Sequence, residues 1–352
     1  MNLTHYLEEI EHVDLSYSQK AKEHEDILTK PQGSLGRLEE LAISLAAMKR
    51  EELPQIKRKV IFTFAGDHGV VEEGVSAFPK EVTRQMVYNF IANGAAVNVL
   101  AAQVGAEVIV ADLGVASDLN ISHPGFRSKK IAYGTYNFTK GPAMSREKAI
   151  DSIVAGIEIF EEEHSKEKID LVGIGEMGIG NTTPATAILA VIGGEHIEDI
   201  VGRGTGVDDD GIIRKITAIK EGIRINEPIS TDAIDILHKV GGYEIGGLTG
   251  IILAAARNKV PVLIDGFIST SAALLAQLLC PVSVQYMFAA HLSEERGHGK
   301  MLDMLGKKPI LSLGMRLGEG TGAALAMHIV EASTRILREM ATFKSAGVSN
   351  KD

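Results

Sequence analysis

The stretch KVIFTFAGDHG, residues 59–69, sets the pattern from which the fold can be predicted. A continuous apolar run, Lys59–Ala65, leads directly into the polar, glycine-containing turn Gly66–Gly69. An uninterrupted apolar run is typical of a strand buried on both faces, whereas a half-exposed strand alternates apolar and polar residues. This segment therefore predicts a central strand in a sheet that is covered on both sides.

The same pattern recurs along the chain. Further apolar runs that lead into a glycine or an acidic residue lie at Glu107–Ala111, Asp170–Ile174, Val260–Ile264 and Pro309–Leu313, with Ser283–Phe288 as a weaker sixth candidate. Between them are segments long enough for crossover helices, such as Glu81–Val104 and Pro184–Ile192. This alternation predicts an α/β fold with a doubly wound, mostly parallel, Rossmann-like sheet of about six strands. Ligands of such sheets bind at the carboxyl ends of the strands, where Gly, Asp, Glu and His residues gather here.

The two ends of the chain depart from this pattern. Two helices are predicted at about Leu3–Lys20 and Leu38–Glu51, and apolar residues at helical spacing predict a third over Ala323–Met340. We expect residues 1–55 and 335–352 to form a small helical subdomain. Residues 56–334 would then form the Rossmann-like catalytic domain.

Composition excludes several classes of protein. The chain has 352 residues, 45% of them hydrophobic, and a net charge of −10, so it is not a disordered chain. An acidic balance argues against non-specific binding to nucleic acid or to an anionic membrane, because both need clustered Lys and Arg. The first ten residues lack the pattern of a signal peptide, and the single Cys280 cannot form an intrachain disulfide. We therefore expect a cytoplasmic protein.

One glycine cluster follows the apolar run that ends at Ile174. Gly173–Gly178 matches G-x-G-x-x-G, the dinucleotide-binding pattern. In another frame, Gly175–Thr182 is a near match to the P-loop, with Asn181 where the phosphate-binding lysine belongs. Both patterns place backbone amides around a phosphate at the start of a helix. A tight turn that binds nothing stays open as an alternative.

Two more glycine clusters carry charged residues. Gly202–Gly206 is followed by Lys215, and Gly314–Gly322 contains Glu319. Glycines on both sides of Glu319 cannot shield it from a ligand. At this point Glu319 is either an ordinary loop residue or a base directed into a cleft.

Metal and nucleophile chemistry are disfavoured. The spacing of His291, Glu294, Glu295 and His298 would place metal ligands on one helical face, but glycines at 297 and 299 interrupt that helix. Cys280 lies in an apolar stretch, and the sequence has no G-x-S-x-G motif. We therefore expect no metal site and no covalent nucleophile. The role of Asp67 and His68 is left open.

Taken together, six segments identify a family. In their order along the chain they are Leu28–Glu39, Gly66–Gly69, Gly141–Arg146, Gly175–Thr183, Gly202–Gly206 and Leu313–Gly322. From about residue 28 to 340 the sequence resembles nicotinate-nucleotide–dimethylbenzimidazole phosphoribosyltransferases, which build the lower-ligand nucleotide of cobalamin. The resemblance implies a homodimer that moves the 5-phosphoribosyl group of nicotinate mononucleotide to 5,6-dimethylbenzimidazole, with inversion at C1′. This chemistry needs neither a metal nor an organic cofactor.

The resemblance also implies roles for individual residues. Glu319 would be the general base, and Glu176 a second carboxylate near the ribose. The phosphate and ribose would be bound by Gly178, Ile179, Gly180, Asn181, Thr182, Gly204, Lys215, Gly266 and Ser293. The aromatic base would be bound by Ser76, Phe78, Gln85 and Leu317.

Two other functions stay open from the sequence. The Gly173–Gly178 pattern would suit a nicotinamide-dinucleotide oxidoreductase. A non-catalytic sensor of nucleotides or benzimidazoles could keep the same pocket, although a pure binder gains little from carboxylates at the reacting carbon. The sequence does not identify the natural acceptor base.

Overall fold

A parallel sheet of seven strands forms the centre of the computed structural model, which describes residues 1–349. The strands are β1 Lys59–Gly66, β2 Ala106–Gly114, β3 Phe126–Ser128, β4 Leu171–Met177, β5 Val262–Ile264, β6 Met287–His291 and β7 Pro309–Leu311. Their order is β3-β2-β1-β4-β5-β6-β7, and every neighbouring pair is parallel. The α/β prediction is confirmed, with one strand more than expected.

Helices connect and cover these strands. The first eight are α1 Leu3–Glu8, α2 Leu15–Asp26, α3 Arg37–Lys49, α4 Glu81–Ile91, α5 Ala96–Gln103, α6 Arg146–Lys166, α7 Thr182–Gly193 and α8 Ile197–Ile200. The others are α9 Asp209–Asn226, α10 Ala233–Val240, α11 Tyr243–Arg257, α12 Phe267–Leu279, α13 His298–Met304, α14 Thr321–Glu339 and α15 Phe343–Ala346. Two short 3₁₀ helices span Gly69–Glu73 and Pro281–Tyr286. No helix within residues 1–349 is long and apolar enough to cross a membrane.

Strand β1 is buried along its whole length because helices cover both of its faces. Successive side chains of a strand point to opposite faces. On one face, the ring centroid of Phe62 lies 6.3 Å from that of Phe160 in α6, and Phe64 packs against Gly247 of α11. On the other face, Ala323 and Met327 of α14 contact β4. The continuous apolar run of β1 reflects these two covered faces.

Helices α6 and α11 cross with their backbones in contact. Gly156 of α6 lies against the carbonyl group of Gly247, and Gly250 of α11 lies against the carbonyl group of Ile153. A side-chain carbon at either glycine would overlap the opposing backbone, which cannot move aside as a flexible side chain can. These glycines therefore set the distance between the two helices.

We expect Gly156→Ala to lower the free energy of unfolding by about 1–3 kcal/mol, because the added methyl group separates α6 from α11. The matched control is Gly299→Ala in α13, where nothing lies within 4 Å of the added carbon. That change should stabilise the protein by up to about 1 kcal/mol, through helix propensity alone. Urea denaturation measures both. Equal effects of the two substitutions would contradict this account of the helix crossing.

Two predicted elements differ from the structure. The predicted helix Leu3–Lys20 is interrupted after Glu8, because Asp14 caps a new helix by accepting a 3.0 Å hydrogen bond from the Ser16 amide. The predicted strand Ser283–Phe288 is wrong over most of its length, since Pro281–Tyr286 is a 3₁₀ helix and β6 begins at Met287. The prediction of crossover helices within Glu81–Val104 is confirmed, since this segment forms α4 and α5.

Terminal segments pack against each other. Ala21, Ala42 and Ala46 from α2 and α3 form a small apolar cluster with Leu337 of α14. Helix α3 also contributes apolar side chains to the main core. The division into residues 1–55 plus 335–352 and residues 56–334 stays a prediction, and its residues 350–352 lie outside the described part of the chain.

Candidate active site

Polar residues gather at the carboxyl ends of the central strands. Asp67 and His68 follow β1, Glu176 lies near the end of β4, Asp265 follows β5, and His291 ends β6. All five are buried. The strand order reverses between β1 and β4, which is where open α/β sheets bind ligands. The edge predicted to carry the site is therefore where these groups meet.

Glu319 reaches this edge from the loop before α14. Its backbone is in the left-handed region, with a φ of 66°, which is rare for a residue with a side chain. The side chain is buried, and its Oε2 has no hydrogen-bond partner within residues 1–349. Burial, together with the charge of Asp265, raises the pKa of Glu319 to about 7. The carboxylate is therefore available to accept a proton near neutral pH.

Glu176 lies beside the Glu319 loop. Its Oε1 packs against the backbone of Gly318, where any side chain would overlap it. The Asn181 side-chain amide donates a hydrogen bond to its other oxygen. Burial and the charges of Glu244, Asp265 and Glu319 raise the pKa of Glu176 to about 8, against the opposing effect of Asn181. Two carboxylates with raised pKa values thus share the site.

A buried pair of charged groups, His68 and Glu244, packs against the glycines beside the site. His68 Nε2 lies 2.7 Å from Glu244 Oε1, and both side chains are inaccessible to solvent. Burial lowers the pKa of His68, but the charge and hydrogen bond of Glu244, with the charge of Asp67, outweigh it and raise the pKa. The His68 ring packs against Gly178, the first residue of the glycine turn after β4. Sequence reasoning missed Glu244, since it begins an apolar helix and belongs to no motif.

The predicted phosphate-binding residues Thr182, Gly204 and Lys215 come together. Lys215 of α9 is fully buried, and its Nζ donates to Thr182 Oγ1 at 2.9 Å and to the Gly202 carbonyl at 2.8 Å. Burial lowers its pKa to about 8, although the charge of Glu295 acts in the opposite direction. Gly204, with a φ of 53°, packs against Thr182 Oγ1. The Lys215 ammonium group therefore lies beside Thr182, directly after Asn181, where the P-loop pattern would have its lysine.

Neighbouring residues complete this part of the site. Glu295 accepts a 3.0 Å hydrogen bond from the Gly204 amide, and the Glu295 amide donates to Ser293 Oγ at 3.3 Å. Gly266 lies beside Ser293. The Ile179 amide donates to Thr83 Oγ1 at 3.0 Å and is therefore engaged within the protein.

A cleft of about 570 Å³ adjoins Gly202 and Glu295. Arg316 also lines it and donates to the Gly204 carbonyl at 2.9 Å. Its complete lining is Val201, Gly202, Arg203, Gly206, Asp209, Ile212, Ile213, Glu294, Glu295, Arg296 and Arg316. The cleft thus carries three arginines, and it reaches the predicted phosphate-binding residues only through neighbours of theirs, such as Gly202, Glu295 and Arg316.

The residues predicted to bind the aromatic base lie on three segments. Ser76 Oγ is 3.2 Å from Thr205 Oγ1, which connects this loop to the second glycine cluster. Phe78 and Leu317 are both more than half exposed, at 51% and 56%. Gln85 of α4 lines a cleft of about 420 Å³ together with Asp67, Lys80, Glu81, Arg84, Tyr88, Ala116 and Ser117.

The metal arrangement considered from the sequence is not present. His291 ends a strand and His298 begins α13, so the two do not share a helical face. Both ring nitrogens of His298 are engaged, Nε2 with Thr270 Oγ1 at 2.9 Å and Nδ1 with the Ser293 amide at 2.8 Å. Within residues 1–349 no group of three or more His, Cys, Asp or Glu side chains is arranged to hold a metal ion.

The dinucleotide pattern is also not realised. Gly173 and Gly175 lie inside β4, whereas a dinucleotide fingerprint places its glycines in the turn after the strand. Gly173 packs against Ala323 and Met327, and Gly175 against the backbone of Glu319 and Gly320. These glycines therefore bring α14 and its preceding loop close to the sheet.

Comparison with known proteins agrees with this geometry. A family model described as "Phosphoribosyltransferase" matches residues 10–348. The chain is 55% identical, over 348 residues and 99% of both chains, to the nicotinate-nucleotide–dimethylbenzimidazole phosphoribosyltransferase of Desulforamulus reducens. The enzyme of that name from Geobacter sulfurreducens is 52% identical over 99% of both chains. The chain belongs to this phosphoribosyltransferase family.

A solved structure gives the same result for the fold. The crystal structure of the family member from Thermus thermophilus matches with a TM-score of 0.90 and 41% sequence identity, and covers 96% of this chain and 100% of its own. The resemblance inferred from the six segments is therefore confirmed. The glycine clusters are therefore those of a phosphoribosyltransferase, and the alternative of a nicotinamide-dinucleotide oxidoreductase is not supported.

Burial of Glu176 predicts a pH-dependent cost to stability. Its pKa is about 8 in the folded protein against an ordinary value of 4.5, so stability present below pH 4.5 is lost as pH rises through 8. Glu176→Gln removes that loss. We expect the variant to gain a few degrees in Tm over the wild type by about pH 9, and little at about pH 4.5.

The matched control is Glu198→Gln on the surface, where Glu198 pairs with Lys220. Its pKa is lowered by the Lys220 hydrogen bond, so this variant should gain no stability between about pH 5 and pH 9. Thermal unfolding across that range measures both. A Tm difference for Glu176→Gln that does not change across the range would show that the carboxylate ionises freely.

Proposed function

We propose that this enzyme transfers the 5-phosphoribosyl group of nicotinate mononucleotide to 5,6-dimethylbenzimidazole, giving α-ribazole 5′-phosphate and nicotinate. The names of its relatives support these substrates. The structural observation that carries the proposal is Glu319, a buried carboxylate with an unpartnered oxygen within residues 1–349, beside the second carboxylate Glu176. The product serves the nucleotide loop of cobalamin.

Glu319 acts as the general base. It takes the N–H proton of the benzimidazole while the other ring nitrogen attacks C1′ and inverts that carbon. The nicotinate nitrogen leaves with the electron pair of the broken glycosidic bond and becomes a neutral pyridine nitrogen, so no acid is needed. A positioned base contributes a rate factor of about 10²–10⁴, most effectively with a pKa near the working pH. The raised pKa of Glu319, about 7, meets that condition.

Glu176 stabilises positive charge at C1′. A bond between C1′ and a departing pyridinium nitrogen breaks with oxocarbenium-like charge on the ribose. The pKa of Glu176 is about 8 without substrate, but the positive pyridinium and the charge at C1′ favour its ionised form, and the carboxylate then stabilises that charge. Glu176 is buried near the end of β4, held by Asn181 and by contact with Gly318. It also lies where it can bind the ribose hydroxyl groups.

The remaining residues bind the rest of the substrates. The 5′-phosphate is bound by Lys215, Gly204 and the turn at residues 178–182, at the N-terminus of α7, where a helix favours an anion. Gly266 and Ser293 contact the ribose and nicotinate. The acceptor base lies against Ser76, Phe78, Gln85 and Leu317. The enzyme works as a cytoplasmic homodimer on these small molecules.

The direct test is to incubate the purified enzyme with nicotinate mononucleotide and dimethylbenzimidazole, without added metal, and to identify the products by chromatography and mass spectrometry. We expect α-ribazole phosphate and nicotinate in equal amounts. Because Glu319 must be deprotonated, kcat/KM should fall about tenfold per pH unit below about pH 7.

Glu319→Gln is the control for the base. This variant should bind both substrates, but its kcat should fall by a factor of about 10²–10⁴. Its residual kcat/KM should not fall further below about pH 7. Near-wild-type turnover by this variant would refute the assignment of the base. Survival of the mononucleotide in the wild-type reaction, with binding detected by calorimetry, would instead indicate another acceptor base or the sensor function.

Lys215 provides a separate test of the phosphate site. Lys215→Met preserves most of the buried volume and removes the charge, so we expect KM for the mononucleotide to rise about tenfold to a hundredfold, from a lost contact of about 1.5–3 kcal/mol. Lys220→Met on the same helix, where the lysine is exposed and pairs with Glu198, is the control and should leave KM unchanged. An unchanged KM for Lys215→Met would place the phosphate elsewhere.

A further inference from the structure

The peptide group that joins Glu319 to Gly320 is hydrogen-bonded at both of its ends. Its carbonyl oxygen accepts a 2.9 Å hydrogen bond from Thr63 Oγ1 of β1. Its N–H group donates a 3.1 Å hydrogen bond to Asp265 Oδ2, directly after β5. Thr63 and Asp265 are both deeply buried. Side chains from two strands on either side of β4 therefore hold one peptide plane.

Gly175 of strand β4 packs against the same peptide. A side-chain carbon at Gly175 would overlap the Glu319 carbonyl carbon and the Gly320 nitrogen, so only glycine lets this peptide lie directly on the sheet. Asp265 also accepts a 3.0 Å hydrogen bond from the Ala323 amide, which connects the peptide to the first turn of α14. Contacts from three adjacent strands thus converge on this plane.

The orientation of the Glu319 side chain depends on this backbone. Its Oε2 has no hydrogen-bond partner within residues 1–349, so the carboxylate gains no anchor there. A left-handed φ of 66° is unfavourable for glutamate and persists only where surrounding contacts hold it. The carbonyl carbon of this peptide is bonded to the Glu319 Cα atom, so a displacement of the 319–320 peptide would also displace the Cα atom from which the side chain extends.

We propose that Thr63 and Asp265 are positioning residues, which hold the 319–320 peptide and so direct the Glu319 carboxylate at the acceptor base. Neither residue touches substrate in this assignment. The inference rests on the proposed function, in which Glu319 takes the proton. Misplacing a catalytic group by about 1 Å can cost about a hundredfold in rate, so the loss of either hydrogen bond should lower kcat.

The test is a set of Thr63 variants. Thr63→Val keeps the shape of the side chain and removes the hydroxyl, and we expect it to lower kcat about tenfold to a hundredfold, with KM for both substrates unchanged. Thr63→Ser keeps the hydroxyl and should restore kcat to near the wild-type value. If Thr63→Val does not fold, Thr63→Ala removes the same hydroxyl and carries the same expectations.

Thr249→Val is the matched control, since Thr249 is also fully buried and its hydroxyl donates to backbone carbonyls, that of Ile245 at 2.9 Å and, on another helix, that of Ala272 at 3.2 Å. It should lower Tm without changing kcat. A decisive readout is the double variant Thr63→Val with Glu319→Gln, measured by product formation over long incubation. Once the carboxylate is gone, loss of the hydroxyl should cost nothing further, because Thr63 acts through Glu319.

Three results would overturn the proposal while the reaction stands: an unchanged kcat in Thr63→Val, an equal loss of kcat in the wild-type and Glu319→Gln backgrounds, or a loss that Thr63→Ser does not restore. A wild-type enzyme that forms no α-ribazole phosphate would overturn the proposed function and this inference together. Whether the wild-type enzyme forms α-ribazole phosphate therefore distinguishes a failure of this inference from a failure of the proposed function.

Discussion

Buried carboxylates crowd the water-poor carboxyl end of the sheet, and the arrangement of the surrounding groups follows from their mutual repulsion. Glu176, Glu244, Asp265 and Glu319 are all buried. An isolated charge in such a place is costly unless it is paired or hydrogen-bonded. Glu244 is paired with His68, Asp265 accepts backbone hydrogen bonds at the start of α14, and Glu176 accepts one from Asn181. Glu319 is the least compensated of the four, which suits the general base proposed above.

Glycine makes this crowding sterically possible. Gly66 and Gly242 both lie against the Glu244 carboxylate, and Gly318 lies against Glu176. At each position a β-carbon would contact the buried carboxylate, which is held by neighbouring groups and cannot move freely. These three glycines therefore serve to bring backbone and carboxylates together. Only part of the glycine-rich sequence faces the predicted phosphate position, around Gly204 and Thr182.

Sequence reasoning predicted the features that depend on local pattern. The long apolar strands, the glycine turns that end them and the helix at the C-terminus all follow from periodicity and residue type. The family resemblance added Glu176, Glu319 and Lys215, whose contacts the structure describes while their roles stay proposals. Features set by distant contacts were missed. The three residues of β3 form a strand only because β2 offers a parallel partner, and the hydroxyl of Thr63 gains a partner only where the chain returns at Glu319. Neither contact leaves a signal in the surrounding sequence.

The packing of α2 and α3 on α14 has a consequence for the order in which the protein can mature on the ribosome. The alanines of α2 and α3 are buried against Leu337, a residue that is synthesised after most of the chain. A nascent chain therefore presents these early helices without their partner until Leu337 emerges, and Glu319 lies directly before the helix that carries Leu337. Completion of the helical packing and assembly of the candidate site thus both await residues 319–337. A product truncated before Glu319 lacks both.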